Sequence, residues 1–135
     1  MRKTTRTKKG FTIMEMLVVV AIIAVLAAVL IPTFNGALYK AKAAADIANV
    51  RAYYAELQTE YLLTEKYRDE IGDDWTKTLT DEITFQDGST YKLQEGQYAA
   101  IRTTDAMWGG QNGQNGYQVT YFCNKSEYNI TFGAQ

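Results

Sequence analysis

The sequence is short of the residue types that build most catalytic and metal-binding sites. Its 135 residues include no histidine, one cysteine and one proline. Without histidine there is no histidine general base, no histidine-based catalytic triad and no histidine metal site. A single cysteine permits neither an intrachain disulfide nor a cysteine-rich zinc site. The sequence also has no phosphate-binding glycine loop, so we expect no enzymatic activity and no cofactor.

Acidic and basic residues are nearly equal in number but unevenly placed. The chain has 14 basic and 15 acidic side chains and a formal net charge of -1. Five basic residues and no acidic residue lie in positions 1–10. The remainder therefore carries nine basic and 15 acidic residues, a net charge of -6. Because phosphate binding depends on clustered lysine and arginine, we predict no direct nucleic-acid binding.

A long apolar run follows the basic segment. Residues 11–31 are apolar except for Thr12 and Glu15. Twenty-one helical residues span about 31 Å, close to the roughly 30 Å hydrocarbon core of a bilayer. The run predicts one membrane-spanning helix, and the basic residues before it predict a cytoplasmic N-terminus. The competing interpretation is a secretory signal peptide, whose apolar run is usually shorter and ends at a small-x-small cleavage site.

A second helical pattern follows the apolar run. Pro32 and the Asn35-Gly36 pair predict a kink or break between the two, since proline removes a backbone donor and glycine is a poor helix former. Beyond them, apolar residues recur at spacings of three and four and predict a helix that continues to about Arg68 and stops near Gly72. The residues of this predicted stripe are Tyr39, Ala43, Ile47, Val50, Tyr54, Leu57 and Tyr61, with Asp46 and the other charged residues mostly off it.

The last part of the chain is predicted to form strands. Residues 83–86 and 91–94 flank an Asp87-Gly88 turn signal and predict a hairpin. Further strands are expected at 98–103, 117–123 and 128–132, with a glycine-rich loop at 109–116. An antiparallel sheet of about four strands would pack on the helical stripe. The predicted fold class is α+β, divided into 1–10, a leader; 11–35, a membrane or filament-core helix; 36–70, an amphipathic helix; and 71–135, a sheet-bearing head.

Glu15 stands out because it places a carboxylate inside the apolar run. A charge at the centre of a membrane helix costs about 3 kcal/mol even on permissive scales. Together with the preceding residues it forms the sequence KKGFTIME, from Lys8 to Glu15. This constellation closely resembles the class III signal peptide of type IV pilins and their pseudopilin relatives. Pro32 matches the proline after the family's apolar run, whereas Ala24 replaces a glycine common within it.

The resemblance implies a processing pathway. A prepilin peptidase would cleave after Gly10, and the new N-terminal residue, Phe11, would be N-methylated. Glu15 would then pair with the N-terminal amine of its own or a neighbouring subunit, which would offset the desolvation of its carboxylate. The helices would leave the membrane and pack into a filament core, with Pro32 and Gly36 as the place where a helix bends.

The resemblance also implies partners and a location. The partners are other copies of the chain, the prepilin peptidase, a pilus assembly platform in the membrane and minor pilins. The subunit would be held in the cytoplasmic membrane before assembly and lie on the cell surface afterwards. A major pseudopilin of a type II secretion or competence DNA-uptake system shares this chemistry and is the alternative. An enzyme or receptor anchored by one helix is the alternative from another class.

Three further features have competing interpretations. Asp69, Asp73 and Asp74 offer oxygen ligands of the kind that calcium prefers, although their spacing is not that of an EF-hand and a solvated loop is favoured. Cys123 lies in an apolar strand and is expected to be a buried small residue rather than half of an intermolecular disulfide. The ten tyrosines are expected mainly in the core and sheet rather than on a sugar- or nucleic-acid-stacking surface.

Overall fold

A computed structural model describes residues 10–103 and 115–133, and its most prominent element is one long helix. Helix α1 runs from Ile13 to Thr64. It is long and apolar enough near the N-terminus to cross a membrane, and that apolar window is exposed in the isolated chain. The chain divides into two compact units between Leu38 and Tyr39. We call the second, from Tyr39 onward, the head unit.

Helix α1 ends at Thr64, four residues before the predicted Arg68, because contacts within the head unit redirect the chain. Glu65 adopts a left-handed conformation with φ of 54° while its N–H still donates to the Tyr61 carbonyl at 2.7 Å. The Arg68 N–H then donates to the Tyr117 hydroxyl at 2.6 Å. The Arg68 guanidinium folds back onto the Glu60 carboxylate of the helix at 2.7 Å. These bonds outweigh the helix propensity of residues 65–68.

The predicted hairpin is confirmed. Strands β1 (Glu82–Thr84) and β2 (Thr90–Lys92) pair antiparallel with Ile83 opposite Tyr91. Gly88 has a φ of 83°, which a residue with a side chain adopts only with strain. The Asp87 carboxylate accepts from the Ser89 N–H at 2.8 Å and closes the turn.

A second, larger sheet holds the later strands. β3 (Gly96–Thr103), β4 (Gly116–Cys123) and β5 (Ile130–Phe132) follow one another antiparallel in the order β3-β4-β5. Within the described residues, the expected single sheet of about four strands is therefore two sheets of two and three strands. The predicted loop at 109–116 falls largely outside the described residues, and its last residue, Gly116, begins β4.

One edge of the three-stranded sheet is covered by the segment that precedes β1. The Arg102 N–H donates to the Gly72 carbonyl at 3.1 Å. The Thr78 hydroxyl donates to the Ala100 carbonyl at 2.6 Å, and Thr80 bridges Tyr98. A 3₁₀ turn at Trp75–Lys77 lies within this segment. An irregular strand of this kind blocks edge-to-edge pairing on the β3 side.

The core of the head unit lies between helix α1 and the inner faces of both sheets. The buried residues of the helix follow at spacings of three and four: Ala43, Asp46, Val50, Tyr53 and Leu57. Ile83 of β1 and Leu93, which follows β2, belong to the same buried cluster as the alternating residues of β3 and β4: Tyr98, Ala100, Tyr117, Val119, Tyr121 and Cys123. The predicted packing of sheet on helix is confirmed, and the α+β fold is that expected for a pilin-like subunit. The centre of the buried face is shifted, so that Tyr39, Ile47, Tyr54 and Tyr61 lie at its margin.

Candidate functional site: the start of the long helix

The first residues of helix α1 form a reciprocal cap. The Thr12 N–H donates to Glu15 Oε2 at 2.9 Å, and the Glu15 N–H donates to Thr12 Oγ1 at 3.2 Å. This is the Thr-x-x-Glu capping box, in which two helix-terminal donors are satisfied by two side chains. The box begins the helix at Ile13 and holds the carboxylate of Glu15 against the backbone of the residue that follows Phe11.

The cap explains how a single chain accommodates the Glu15 carboxylate. A carboxylate near a helix N-terminus is favoured by the helix dipole and by the free N–H groups there. Glu15 is an acidic residue in the first turn of α1 and accepts one of those N–H bonds. The side chain is therefore directed toward the chain end that cleavage at Gly10 would create. Phe11, the predicted new N-terminal residue, is 82% exposed.

The helix segment after the cap exposes its apolar side chains all round. Between Ile13 and Phe34 the large apolar residues are 48–80% exposed. A groove lined by Val18, Ala21, Ile22, Val25 and Leu26 offers only apolar surface. Exposed apolar surface of this extent is typical of a segment that is covered by lipid or by other helices.

The sequence predicts either a kink or a break at Pro32 and Gly36. Helix α1 is continuous across both residues, so it does not break there. Pro32 lacks the N–H that would bond the carbonyl of Ala28. At the next position in the ladder, the Thr33 hydroxyl donates to the Val29 carbonyl at 3.1 Å, and such back-bonding often bends helices. A kink at Pro32 and Gly36 stays a prediction.

The prediction from the sequence pattern was wrong for Asp46. It was expected off the buried stripe, yet it is 0% exposed in the core of the head unit. Its carboxylate accepts from the Tyr91 hydroxyl at 3.1 Å and the Tyr121 hydroxyl at 2.9 Å. It also accepts from the backbone N–H groups of Gln94 at 3.0 Å and Glu95 at 2.8 Å. Asp46 thus joins helix α1 to the connection between the two sheets and to the middle strand of the second.

A signal for this burial was present in the sequence. Asp46 lies three residues after Ala43 and four before Val50, at the centre of an otherwise small or apolar face. A prediction from apolar spacing assigns a charged residue to the exposed side of the helix. It therefore left Asp46 out of the buried stripe and included Ile47 instead. Only the four donors from residues 45 to 75 positions away make the buried carboxylate tolerable.

Cys123 is a buried free cysteine, as predicted. Its sulfur lies 3.1 Å from the hydroxyl of Tyr39, which also accepts from the Lys125 N–H at 3.1 Å. The hydrogen bond to Cys123 and burial together raise the pKa of Tyr39 to about 12. The Lys125 ammonium lies 4.3 Å above the Tyr39 ring. Tyr39 therefore ties the first turn of the helix in the head unit to the turn between β4 and β5.

The weak calcium ligands are separated by other contacts. Asp73 pairs with the Arg102 guanidinium at 2.6 Å. Asp74 caps the 3₁₀ turn by accepting from the Thr76 hydroxyl and N–H, which lowers the pKa of its carboxyl. Asp69 is exposed. Residues 10–103 and 115–133 contain no group of three or more His, Cys, Asp or Glu side chains placed to hold a metal ion.

The tyrosines mostly build the core and its margin. Tyr61, Tyr67 and Tyr117 form one aromatic cluster, with the rings of Tyr61 and Tyr67 stacked at 4.6 Å. Tyr53 and Tyr98 meet edge to face at 5.3 Å. Burial of these rings explains their number without a stacking surface for a sugar or a base.

Comparison with known proteins identifies the start of the chain. A family model described as the prokaryotic N-terminal methylation motif matches residues 5–31, about a fifth of the chain. The match includes Gly10, Phe11, the capping box and the whole apolar run, residues 11–31. No curated protein and no solved structure matches the chain.

Proposed function

We propose that this chain is a structural subunit of a type IV pilus, starting from the class III signal peptide of type IV pilins and pseudopilins that it carries at residues 5–31. The motif implies a structural subunit rather than an enzyme, a prepilin peptidase as processing partner, and anchoring in a membrane. The observation that carries the proposal is the motif itself, joined directly to an exposed apolar helix. The finer assignment to a pilus is ours.

Processing removes a charge barrier. Cleavage after Gly10 would discard the five basic residues of positions 1–10, which the positive-inside rule holds on the cytoplasmic side. The product begins at Phe11 with a new α-amino group, which is then N-methylated. The two products of this step are a basic leader and an acidic, membrane-held subunit.

Glu15 then provides the register for assembly. In the single chain its carboxylate accepts from the Thr12 N–H. An ammonium group at Phe11 of a neighbouring subunit is a stronger partner, because it adds a full opposite charge to the hydrogen bond and the attraction between two charges is strong in an apolar filament core. Exchange of the capping bond for this pair links subunits in a fixed stagger, while their apolar helices cover one another. The alternative, a major pseudopilin of a type II secretion or competence system, uses the same steps.

The N-terminus of the assembled protein tests the processing step. Mass spectrometry of filaments sheared from cells should find a chain that starts at Phe11 and is heavier by one methyl group. A chain that starts at Met1 contradicts the proposal and favours a membrane-anchored receptor or enzyme.

Substitution of Glu15 tests the assembly step. Glu15→Ala should leave the subunit in the membrane and reduce its recovery in sheared filaments by about tenfold or more, since the register pair is lost. Glu65→Ala is the matched control, because Glu65 is an exposed glutamate of the head unit and should keep wild-type recovery. Equal recovery of the two variants contradicts the role of Glu15. Filaments on the cell surface favour the pilus, and their absence beside a secretion or uptake defect favours the pseudopilin.

A further inference from the structure

The head unit contains an acid-lined cavity beside the C-terminal part of helix α1. The cavity has a volume of about 560 Å³ and is lined by Tyr53, Glu60, Arg68, Glu70, Glu82 and Phe85, among others. Its aromatic wall is firmly packed, since Tyr53 meets Phe85 edge to face at 6.3 Å and is itself 6% exposed. The cavity therefore combines a rigid aromatic wall with a rim of carboxylates.

The charges within the cavity do not cancel. Arg68 is already satisfied, because its guanidinium binds Glu60 at 2.7 Å and Glu56 at 3.0 Å. Although burial opposes it, these bonds raise the pKa of Arg68. Glu70 and Glu82 are exposed and form no ion pair with any residue of the described parts of the chain. The cavity thus suits an ammonium group on an alkyl stem, with the charge at Glu70 and Glu82 and the stem along the rings.

Ammonium groups of this kind lie where helix α1 enters the head unit. Lys40 is exposed, and Lys125 lies over the ring of Tyr39 with its ammonium 4.3 Å away. Neither forms an ion pair with another described residue, whereas the nearby Lys42 binds Glu95 at 3.7 Å. The turn between β4 and β5, which contains Lys125, also contains one carboxylate, that of Glu127, two residues further along the chain. We call Lys40 and Lys125 the basal lysines.

The two surfaces cannot meet within one chain. Lys40 and Glu60 are separated by 20 helical residues, or about 30 Å along the axis. A contact between two different surfaces of identical chains is heterologous, and a heterologous contact that does not close into a ring builds an open helical filament. A second copy that lies beside the first, displaced along the helix axis by about this distance, has its basal lysines level with the cavity.

We propose that the acid-lined cavity of one head unit receives the basal lysines of a second copy of this chain. This inference rests on the proposed filament and adds a second contact to it, made by the head units and separate from the Glu15 pair. The contact is electrostatic, so it sets which copies face one another and weakens as salt rises.

Charge reversal of the basal lysines, of the cavity glutamates, and of both sets together tests the contact in the full-length chain. Lys40→Glu with Lys125→Glu should lower the recovery of sheared filaments about fivefold, and so should Glu70→Lys with Glu82→Lys. All four substitutions in one chain should restore recovery, because the contact is re-formed with opposite signs. Lys66→Glu is the matched control for Lys40→Glu alone, since it changes the net charge by the same amount at an exposed lysine outside the basal pair. Because Lys125 packs on Tyr39, its substitution changes packing as well as charge, so Lys40→Glu is also tested alone. Resistance to mild proteolysis shows whether each variant is folded.

Cysteine pairs provide a second measurement of the contact in assembled filaments. The natural Cys123 is buried, so Lys40→Cys and Glu82→Cys add the accessible thiols. Chains with one change each, expressed together, should form a disulfide-linked dimer in sheared filaments, and replacing Lys40→Cys by Lys66→Cys should abolish it.

The outcomes separate this inference from the proposed function. Wild-type recovery for both reversed ends, or no rescue by the fourfold variant, overturns the inference even if filaments still depend on Glu15. A loss confined to the lysine substitutions overturns it as well and assigns those lysines to another partner, such as anionic lipid. Filaments that do not depend on Glu15 contradict the proposed function instead, whatever the charge variants do.

Discussion

At the scale of single residues, two carboxylates are tolerated in apolar surroundings in different ways. Glu15 is held by a cap at the helix end, where one N–H and the helix dipole offset its charge. Asp46 is held in the core by two hydroxyls and two backbone N–H groups. The first arrangement is local and can be exchanged for another partner. The second depends on three separate segments and can form only when the head unit is folded.

Removal of the Asp46 carboxylate should therefore destabilise the head unit strongly. Asp46→Ala leaves two hydroxyls and two N–H groups buried without an acceptor, and we expect a loss of about 3 kcal/mol or more in the free energy of unfolding. Urea titration of the full chain in detergent, followed by near-ultraviolet circular dichroism, measures it. Asp69→Ala is the control, because Asp69 is exposed and should change stability by less than about 0.5 kcal/mol. Equal midpoints for both variants contradict the anchoring role of Asp46.

At the scale of elements, turns and helix ends follow two kinds of rule. The β1–β2 turn obeys local chemistry, since Gly88 supplies the positive φ and Asp87 the closing bond. The end of helix α1 does not, since Glu65 has neither the flexibility of glycine nor a favourable charge for a helix C-terminus. Arg68 decides it through its bonds to Glu60 and Tyr117.

Glycine substitution should separate these two kinds of position. Gly88→Ala forces a side chain into a φ of 83° and should cost about 1 kcal/mol in the free energy of unfolding. Gly72→Ala is the matched control, because its added carbon meets no atom within 4 Å and its φ is not in the left-handed region. The same urea titration measures both. A midpoint for Gly88→Ala at or above that of Gly72→Ala would show that the turn does not require glycine.

At the scale of the whole molecule, tyrosine burial links the stability of the head unit to alkaline pH. Seven of the ten tyrosines have a pKa raised above 10.0, most of them chiefly by burial, and that of Tyr67 rises to about 12. The unfolded chain therefore loses protons from about pH 10 upward while the folded chain retains them. The stabilisation is complete below pH 10 and declines as pH rises toward 12.

An alkaline titration checks this sign. Absorbance at the phenolate band should show these seven tyrosines ionising only as near-ultraviolet dichroism is lost. The free energy of unfolding should be constant just below pH 10 and fall above it. Ionisation of these seven tyrosines near pH 10, with the fold intact, contradicts the burial described here.

The sequence by itself determined the start of this protein. The basic leader, the apolar run, Gly10, Phe11 and Glu15 are contiguous, so local pattern and charge are enough to identify them. The Asp-Gly hairpin and the buried Cys123 follow in the same way, because turn chemistry and strand alternation are short-range properties.

Tertiary structure alone decided what depends on residues far apart. The end of helix α1, the separation of the strands into two sheets, the burial of Asp46 and the acid-lined cavity each require contacts between distant segments. A helical spacing rule scores a residue by its own polarity and cannot count hydrogen-bond donors supplied 45 to 75 residues away. For that reason the sequence predicts how this chain is processed, whereas the proposed contact between head units rests on surfaces that only the folded head unit brings together.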